Sequence, residues 1–459
     1  MKDWDARVAS GDKPRYVAIA DALSADIADG RLAAGQQLPT HRDLAETLGV
    51  TVGTVSRAYR EAEHRGLVVG EVGRGTFVRR PSSGADPGSD ARGGLIDLGV
   101  NSMRIPDGSM LVPQALTELA RDPAVVRLLE DYQPQAGLPE HREAGSSLIA
   151  EAGWKVHPDR VLVCAGAQHA TTVALMGLCQ PGDTLLTGAL THPTLMALAR
   201  TLRLNLVGVA LDEQGIEPSA FEDACIDHRP QALYCMPTLH NPTTRTMSAE
   251  RRATIAQIAL RYDVAVLESD VHGFMAEDSP PPLSSWMDAE YGYYLTSCSK
   301  RIAPGLRVGY LVVPRGEQGR FLDALWSTTG MAPPLMAEIA SRWIRDGTAA
   351  SLAEARRAES ATRQGIARAV LHDHPFECQS TAGHAWLPLP PAWRDTASFV
   401  GRAMAAGVAV TPRDAFAATK GGAPAVRLSL GAPPSREIVR RGLEIVAELL
   451  HGVHPLRVV

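Results

Sequence analysis

The stretch Pro81-Ser82-Ser83-Gly84-Ala85-Asp86-Pro87-Gly88-Ser89-Asp90-Ala91-Arg92-Gly93-Gly94 constrains the fold most. It is rich in Pro, Gly, Ser and Asp and carries almost no apolar surface to bury, so it reads as a flexible linker. It divides the 459 residues into a head, 1–80, a linker, 81–94, and a body, 95–459. A single core stops growing at roughly 250–300 residues, which already demands more than one domain. Hydrophobic residues make up 45% of the chain and charged residues 21%, the balance of a globular protein. The net charge of −5 excludes a global polycation, so any contact with nucleic acid must come from a local basic patch.

In the head, Tyr16, Ile19, Ala20, Leu23 and Ile27 recur at helical spacing. A second helix is expected after Pro39-Thr40, with Leu44, Ala45 and Leu48 inward. A third is expected over 51–65, with Val55, Tyr59 and Ala62 inward. Two short strand-like runs follow, 66–69 and 75–78, around a glycine turn. Helix, short turn, helix and hairpin make a winged helix-turn-helix, whose third helix enters the major groove of double-stranded DNA. The side chains placed to reach DNA are Arg42, Thr51, Thr54, Ser56 and Arg57, with Arg74 at the tip of the wing.

In the body, apolar runs alternate with helical stretches: 161–164, 184–187, 206–210, 232–236, 264–267, 294–297 and 308–313. Several lack polar alternation, as strands buried on both faces do. The fold class expected is α/β, a mixed, mostly parallel sheet with helices on both faces, followed by a smaller α+β lobe from about Pro333. The six cysteines are scattered with no C-x-x-C pair, as expected of reduced thiols. His372, His374 and Cys378 are read as a solvated loop, and no metal site is expected. The start Met1-Lys2-Asp3-Trp4-Asp5 has no apolar signal core, and no run of about 18 apolar residues occurs. A cytoplasmic protein without membrane contact is the expectation.

The run Leu38-Pro39-Thr40-His41-Arg42-Asp43-Leu44-Ala45, continued by Thr51-Val52-Gly53-Thr54-Val55-Ser56-Arg57-Ala58-Tyr59 and Gly73-Arg74-Gly75-Thr76-Phe77-Val78, resembles the heads of the GntR family of regulators. The body places several chemical groups at its strand ends. They are Ala165-Gly166-Ala167-Gln168, His240-Asn241-Pro242, Glu268-Ser269-Asp270-Val271-His272, Ser297-Cys298-Ser299-Lys300, Pro304-Gly305-Leu306-Arg307 and Val426-Arg427-Leu428. The series resembles fold-type I aminotransferases, which use pyridoxal 5′-phosphate (PLP). Joined to the head, it resembles the MocR/GabR regulators.

That resemblance implies roles. Lys300 is the residue for the Schiff-base link to PLP. Asn241 meets the ring hydroxyl. Ser297, Ser299 and Arg307 hold the phosphate with Gly166, Ala167 and Gln168. Arg427 clamps an effector carboxylate, and Tyr132 reaches the phosphate of a neighbouring subunit in a homodimer. The sequence departs from the family at three points. Ser269 stands where a carboxylate usually faces the ring nitrogen, His272 where a tyrosine usually meets the ring hydroxyl, and His192 where an aromatic residue often stacks on the ring. Asp270 would have to replace the carboxylate, although strand alternation points it to the other face.

These replacements imply weakened PLP chemistry, with no turnover or only a half-reaction. The leading expectation is therefore a transcription regulator that takes PLP, or its adduct with a small amine or amino acid, as effector. A working aminotransferase with an appended head, and a regulator that has exchanged PLP for another carboxylate or phosphate ligand, are the alternatives.

Overall fold

The computed structural model describes residues 14–28, 31–32, 36–64, 68–71, 75–78, 94–103, 111–287 and 291–451. The chain divides into two compact units, Met1–Gly88 and Ser89–Val459. The expected linker, apart from Gly94, lies outside the described residues, as does Arg74.

The first unit contains α1 (Arg15–Ala28), α2 (His41–Thr47), α3 (Val52–His64), β1 (Val68–Glu71) and β2 (Gly75–Val78). Thr40 starts α2 as an N-cap, its hydroxyl accepting the Asp43 amide at 3.3 Å. Gly49, at φ +60°, makes the turn between α2 and α3, a conformation glycine adopts without a Cβ clash. Ile19, Leu23, Leu44, Val55, Ala58, Tyr59 and Ala62 are buried in one core. β1 and β2 pair antiparallel, Val68 opposite Val78, and both valines join that core. The winged helix-turn-helix expected from the sequence is the fold observed.

The second unit is built on a seven-stranded sheet. Its strands are β3 (Val161–Cys164), β4 (Thr184–Gly188), β5 (Asn205–Val209), β6 (Ala232–Cys235), β7 (Ala265–Ser269), β8 (Gly292–Ser297) and β9 (Gly309–Val312), in the spatial order β3-β9-β8-β7-β6-β4-β5. Only β9 runs antiparallel to its neighbours. Val161–Cys164, Ala232–Cys235 and Gly309–Val312 are buried throughout, which explains why these runs lack polar alternation. Apolar clusters cover both faces. One contains Leu267, Leu295 and Leu311, and others contain Tyr294, Tyr310 and Val266. The C-terminal lobe carries a three-stranded sheet of β10 (His384–Pro388), β11 (Thr411–Pro412) and β12 (Ala425–Ser429), with β12 in the centre. Among the described residues, no helix is long and apolar enough to cross a membrane.

Candidate functional site

In the head, α3 turns its inner face to the core and leaves Arg57 exposed; Arg42 is exposed on α2. Arg60, which the sequence reading passed over, is exposed three residues beyond Arg57 and so continues the same helical face. Thr51 and Thr54 have a local task. The Thr54 amide donates to Thr51 Oγ1 at 3.2 Å, and their hydroxyls lie 2.9 Å apart. Ser56 is half-buried with Oγ 3.2 Å from His41 Nδ1, so its hydroxyl joins α3 to α2. That contact gives Ser56, expected to reach bases, a bond within the head. Tyr59 adds a second tie by donating to the Pro39 carbonyl at 2.9 Å. The two arginines expected to meet DNA are thus exposed groups of the helix pair, on a frame held by internal hydrogen bonds.

In the body, a cavity of ≈ 230 Å³ opens at the strand ends, with Lys300, Asn241, Ser269, His272, His192 and Gln168 on its wall. Helix α4 (Ala167–Leu178) begins there. Its N-cap is Gly166, at φ +88°, and no side chain caps it. Uncapped amides at a helix N-terminus attract an anion through both hydrogen bonds and the helix dipole. A Cβ at Gly166 would lie 2.7 Å from Arg307 Nη2, so glycine lets the guanidinium close over the helix start. Arg307 reaches Ser299 Oγ and the Ala165 carbonyl only at 3.4 Å each, which leaves its donors available to a ligand. Ala167, Gln168, Ser299 and Arg307 all line the cavity, and between them they could hold a phosphate-sized anion.

Ser297 does not line this cavity. It caps the short helix α5 (Cys298–Arg301) by accepting the Ser299 amide at 3.1 Å, and it donates to the Val308 carbonyl at 2.9 Å. The expected phosphate contact of Ser297 is replaced by a structural one.

Helix α5 delivers Lys300. Its Nζ donates to the Asn101 carbonyl, and burial, with Arg427, Arg356 and Arg307 nearby, pushes its pKa down to about 8. Arg356, on α6 (Thr348–Val370), pins the α5 turn by bonding the main-chain carbonyls of Arg301 and Ile302. Asn101 and Arg356 were missed in the sequence. Neither belongs to a motif, and only folding brings them to Lys300.

Asn241 is fully buried and accepts from Arg427 Nη1 at 2.9 Å. Arg427, on β12, also donates to the Gly99 carbonyl at 2.6 Å and stacks over Phe416 at 4.9 Å. It stands behind Asn241, off the cavity wall, and its Nε has no hydrogen-bond partner. Burial, followed by the positive charge of Arg427 and Lys300, holds His192 down at about 4. Burial also holds His272 well below the usual imidazole range, so both rings are neutral near pH 7. His272 Nε2 lies 3.4 Å from Asn101 Nδ2.

Strand alternation divides the next pair. Ser269 faces the cavity, with Tyr234 as a polar neighbour. Asp270 faces away and accepts the Tyr294 hydroxyl at 2.7 Å. The possibility that Asp270 serves the cavity in place of Ser269 is therefore corrected. No Asp or Glu among the described residues lines the cavity. Tyr132 is 86% exposed.

The cradle sets a steric prediction. A Cβ at Gly309 would lie 2.6 Å from the Gly166 carbonyl carbon and 2.9 Å from the Ala167 nitrogen, both backbone atoms. Gly309→Ala should therefore push β9 from the α4 start and lower stability by about 1–3 kcal/mol. An unchanged thermal midpoint would contradict this.

Comparison with known proteins agrees with this architecture. Residues 94–446 match the family model for aminotransferase class I and II, and residues 15–78 match that for bacterial regulatory proteins of the gntR family. The chain belongs to the aminotransferase class I and II family and carries a gntR-family head. A relative in Bacillus subtilis (strain 168), described as the uncharacterized HTH-type transcriptional regulator YdeF, is 30% identical, with 97% of this chain and 96% of the relative aligned. YdcR of Escherichia coli (strain K12), described in the same terms, is 26% identical over 82% of this chain and 86% of its own.

Two solved structures are similar in fold. An archaeal alanine:glyoxylate aminotransferase superposes with a TM-score of 0.70 at 24% identity, covering 78% of this chain and 91% of its own. LysN, the α-aminoadipate aminotransferase of Thermus thermophilus, gives 0.70 at 22% identity, covering 78% and 93%.

Proposed function

We propose that this chain is a DNA-binding transcription regulator whose body takes PLP, alone or with an amine or amino acid, as its effector. The head grips operator DNA through Arg42 and Arg57. In the body, the α4 N-terminus, Ser299 and Arg307 hold the phosphate. Lys300 would supply the linking amine, Asn241 would bond the ring hydroxyl, and Arg427, behind Asn241, would receive the effector carboxylate. When bound, PLP supplies a carbonyl that captures amines and a ring that draws electrons from them. Tyr132, almost wholly exposed, serves a second copy of the chain in a homodimer. Effector binding shifts the balance between two arrangements of the paired heads and so changes operator affinity.

One observation carries this reading over that of a working aminotransferase: the cavity wall has no carboxylate among its described residues, and Asp270 is turned away, leaving Ser269 where the family resemblance expects the residue that faces the ring nitrogen. A hydroxyl there does not hold a proton on a pyridine nitrogen as a carboxylate does, so the site captures an amine without efficient turnover.

The test is to titrate the full-length protein, loaded with PLP, with a panel of amines and amino acids while measuring binding to its own upstream DNA. A change in DNA affinity with slow amine consumption supports the reading. Turnover equal to that of a true aminotransferase refutes it. In the same assay Ser269→Asp is expected to raise the rate of amine consumption by at least about tenfold, one pKa-unit equivalent of ring activation. An unchanged rate would remove Ser269 as the limiting replacement.

A further inference from the structure

Asp270 faces a second and larger cleft, ≈ 580 Å³, on the opposite face of the sheet from the Lys300 cavity. Asp270 is 6% exposed; Oδ2 accepts from Tyr294, and Oδ1, itself buried, has no hydrogen-bond partner. A Cβ at Gly273 would overlap both carboxylate oxygens, so a glycine there lets the backbone pack directly against the Asp270 carboxylate. The hydroxyls around it have already given their protons away. Tyr294 donates to Asp270 Oδ2, Thr296 to the Asp270 carbonyl at 2.9 Å, and Thr381 to the Met275 carbonyl. Only lone pairs remain for an occupant, so this end of the cleft accepts and demands a donor.

Another part of the lining has the opposite need. Arg301 is 6% exposed and pairs through Nη2 with Glu151, while its Nε has no partner. Arg357 is also on the lining and spends Nη1 on the Phe274 carbonyl at 2.9 Å. One cleft thus holds an unpartnered carboxylate oxygen and an unpartnered guanidinium N–H, both deeply buried, where such groups ordinarily have partners. A simple amine would leave the Arg301 Nε–H without an acceptor, and a simple acid would leave Asp270 Oδ1 without a donor. Phe274, Ala276, Ala358 and Ala361 supply apolar lining, beside the acidic side chains of Glu277 and Glu354.

We propose that this cleft is a second ligand site, built for a free amino acid with an apolar side chain. Asp270 takes the ammonium, Arg301 and Arg357 take the carboxylate, and the side chain lies along Phe274 and the alanines of α6. The site stands whether or not the Lys300 cavity holds PLP.

The test is calorimetry of L-leucine binding to the full-length Lys300→Ala protein without PLP, so that no amine can be captured covalently. Saturable binding of one leucine per chain is expected. Isoamylamine and 4-methylvalerate, each lacking one charge, should bind at least about tenfold more weakly, the scale of one charge-assisted hydrogen bond. Asp270→Asn should weaken leucine by a similar factor, and Asn241→Ala, in the other cavity, should leave it unchanged. Ala361→Trp, on an exposed face of α6, blocks the cleft without touching the buried groups and should abolish binding even if Asp270→Asn fails to fold. Absence of saturable binding at millimolar leucine overturns the proposal. So does binding that survives both Asp270→Asn and Ala361→Trp, or binding lost in Asn241→Ala.

Discussion

Lys300→Ala is expected to abolish the visible or near-ultraviolet band that the full-length protein acquires with PLP, and to leave no pyridoxyl group on the protein after borohydride reduction. The reason is chemical: the link needs an uncharged primary amine inside the cavity, and Lys300 alone among its described lining residues provides one. The folded protein prepares that amine. Burial, together with Arg427, Arg356 and Arg307, brings its pKa from 10.5 down to about 8. At pH 7 about a tenth of the amine is then neutral, against well under a thousandth for an ordinary lysine. The sign follows directly. The depressed pKa favours the neutral form, so the link should form faster as pH rises from 7 through 8 and level off above 9. His192 and His272 are already neutral over that window and add no slope to it. Stopped-flow absorbance after PLP addition reads the profile. A band in Lys300→Ala equal to that of the parent would end the assignment. A rate independent of pH between 7 and 9 would end the account of how the amine is prepared.

Arg57→Ala should weaken binding of the full-length protein to its operator by about 10- to 100-fold, the range for losing one strong contact in the major groove. Arg57 sits exposed on α3, with Tyr59 two positions on turned inward and tied to Pro39. Its removal therefore costs a contact and leaves the helix in place. Fluorescence anisotropy at several salt concentrations separates two versions of the role. If Arg57 meets a base, the loss is confined to operator sequence. If it meets phosphate, affinity falls on all sequences and the salt slope drops by about one. Unchanged affinity would place the reading face elsewhere. The PLP band, which belongs to the body, should be unaffected in either case.

Much of this architecture was legible in the residues. The head was readable because each of its helices writes a full amphipathic pattern, and Ile19, Leu44, Val55 and Tyr59 all became core. The body strands were readable because the central ones are buried on both faces and so carry unbroken apolar runs. Boundaries moved by no more than two residues; the run expected over 264–267 became Ala265–Ser269, and the first residues of β8 were added at Gly292–Tyr293.

Within the site, the strand-end motifs identified the groups around Lys300, and the period of two along β7 already separated Ser269 from Asp270. What no motif carried was contact between distant segments. Ser56 is bonded to a histidine fifteen residues away. Ser297 belongs to its own helix start, and Asn101 meets Lys300 across 199 positions of sequence. Arg427 rests against Asn241, 186 positions earlier.

The sequence by itself determined the two-part organisation, the strand and helix pattern, and which kinds of side chain stand at the strand ends. Those properties follow from local periodicity and from the chemistry of short segments. The tertiary structure decided which of these groups share a cavity, how far burial lowers the lysine, and that Asp270 opens onto a separate cleft with Arg301. Burial, field and hydrogen-bond satisfaction are sums over everything packed around an atom, and most of those neighbours lie far away along the chain.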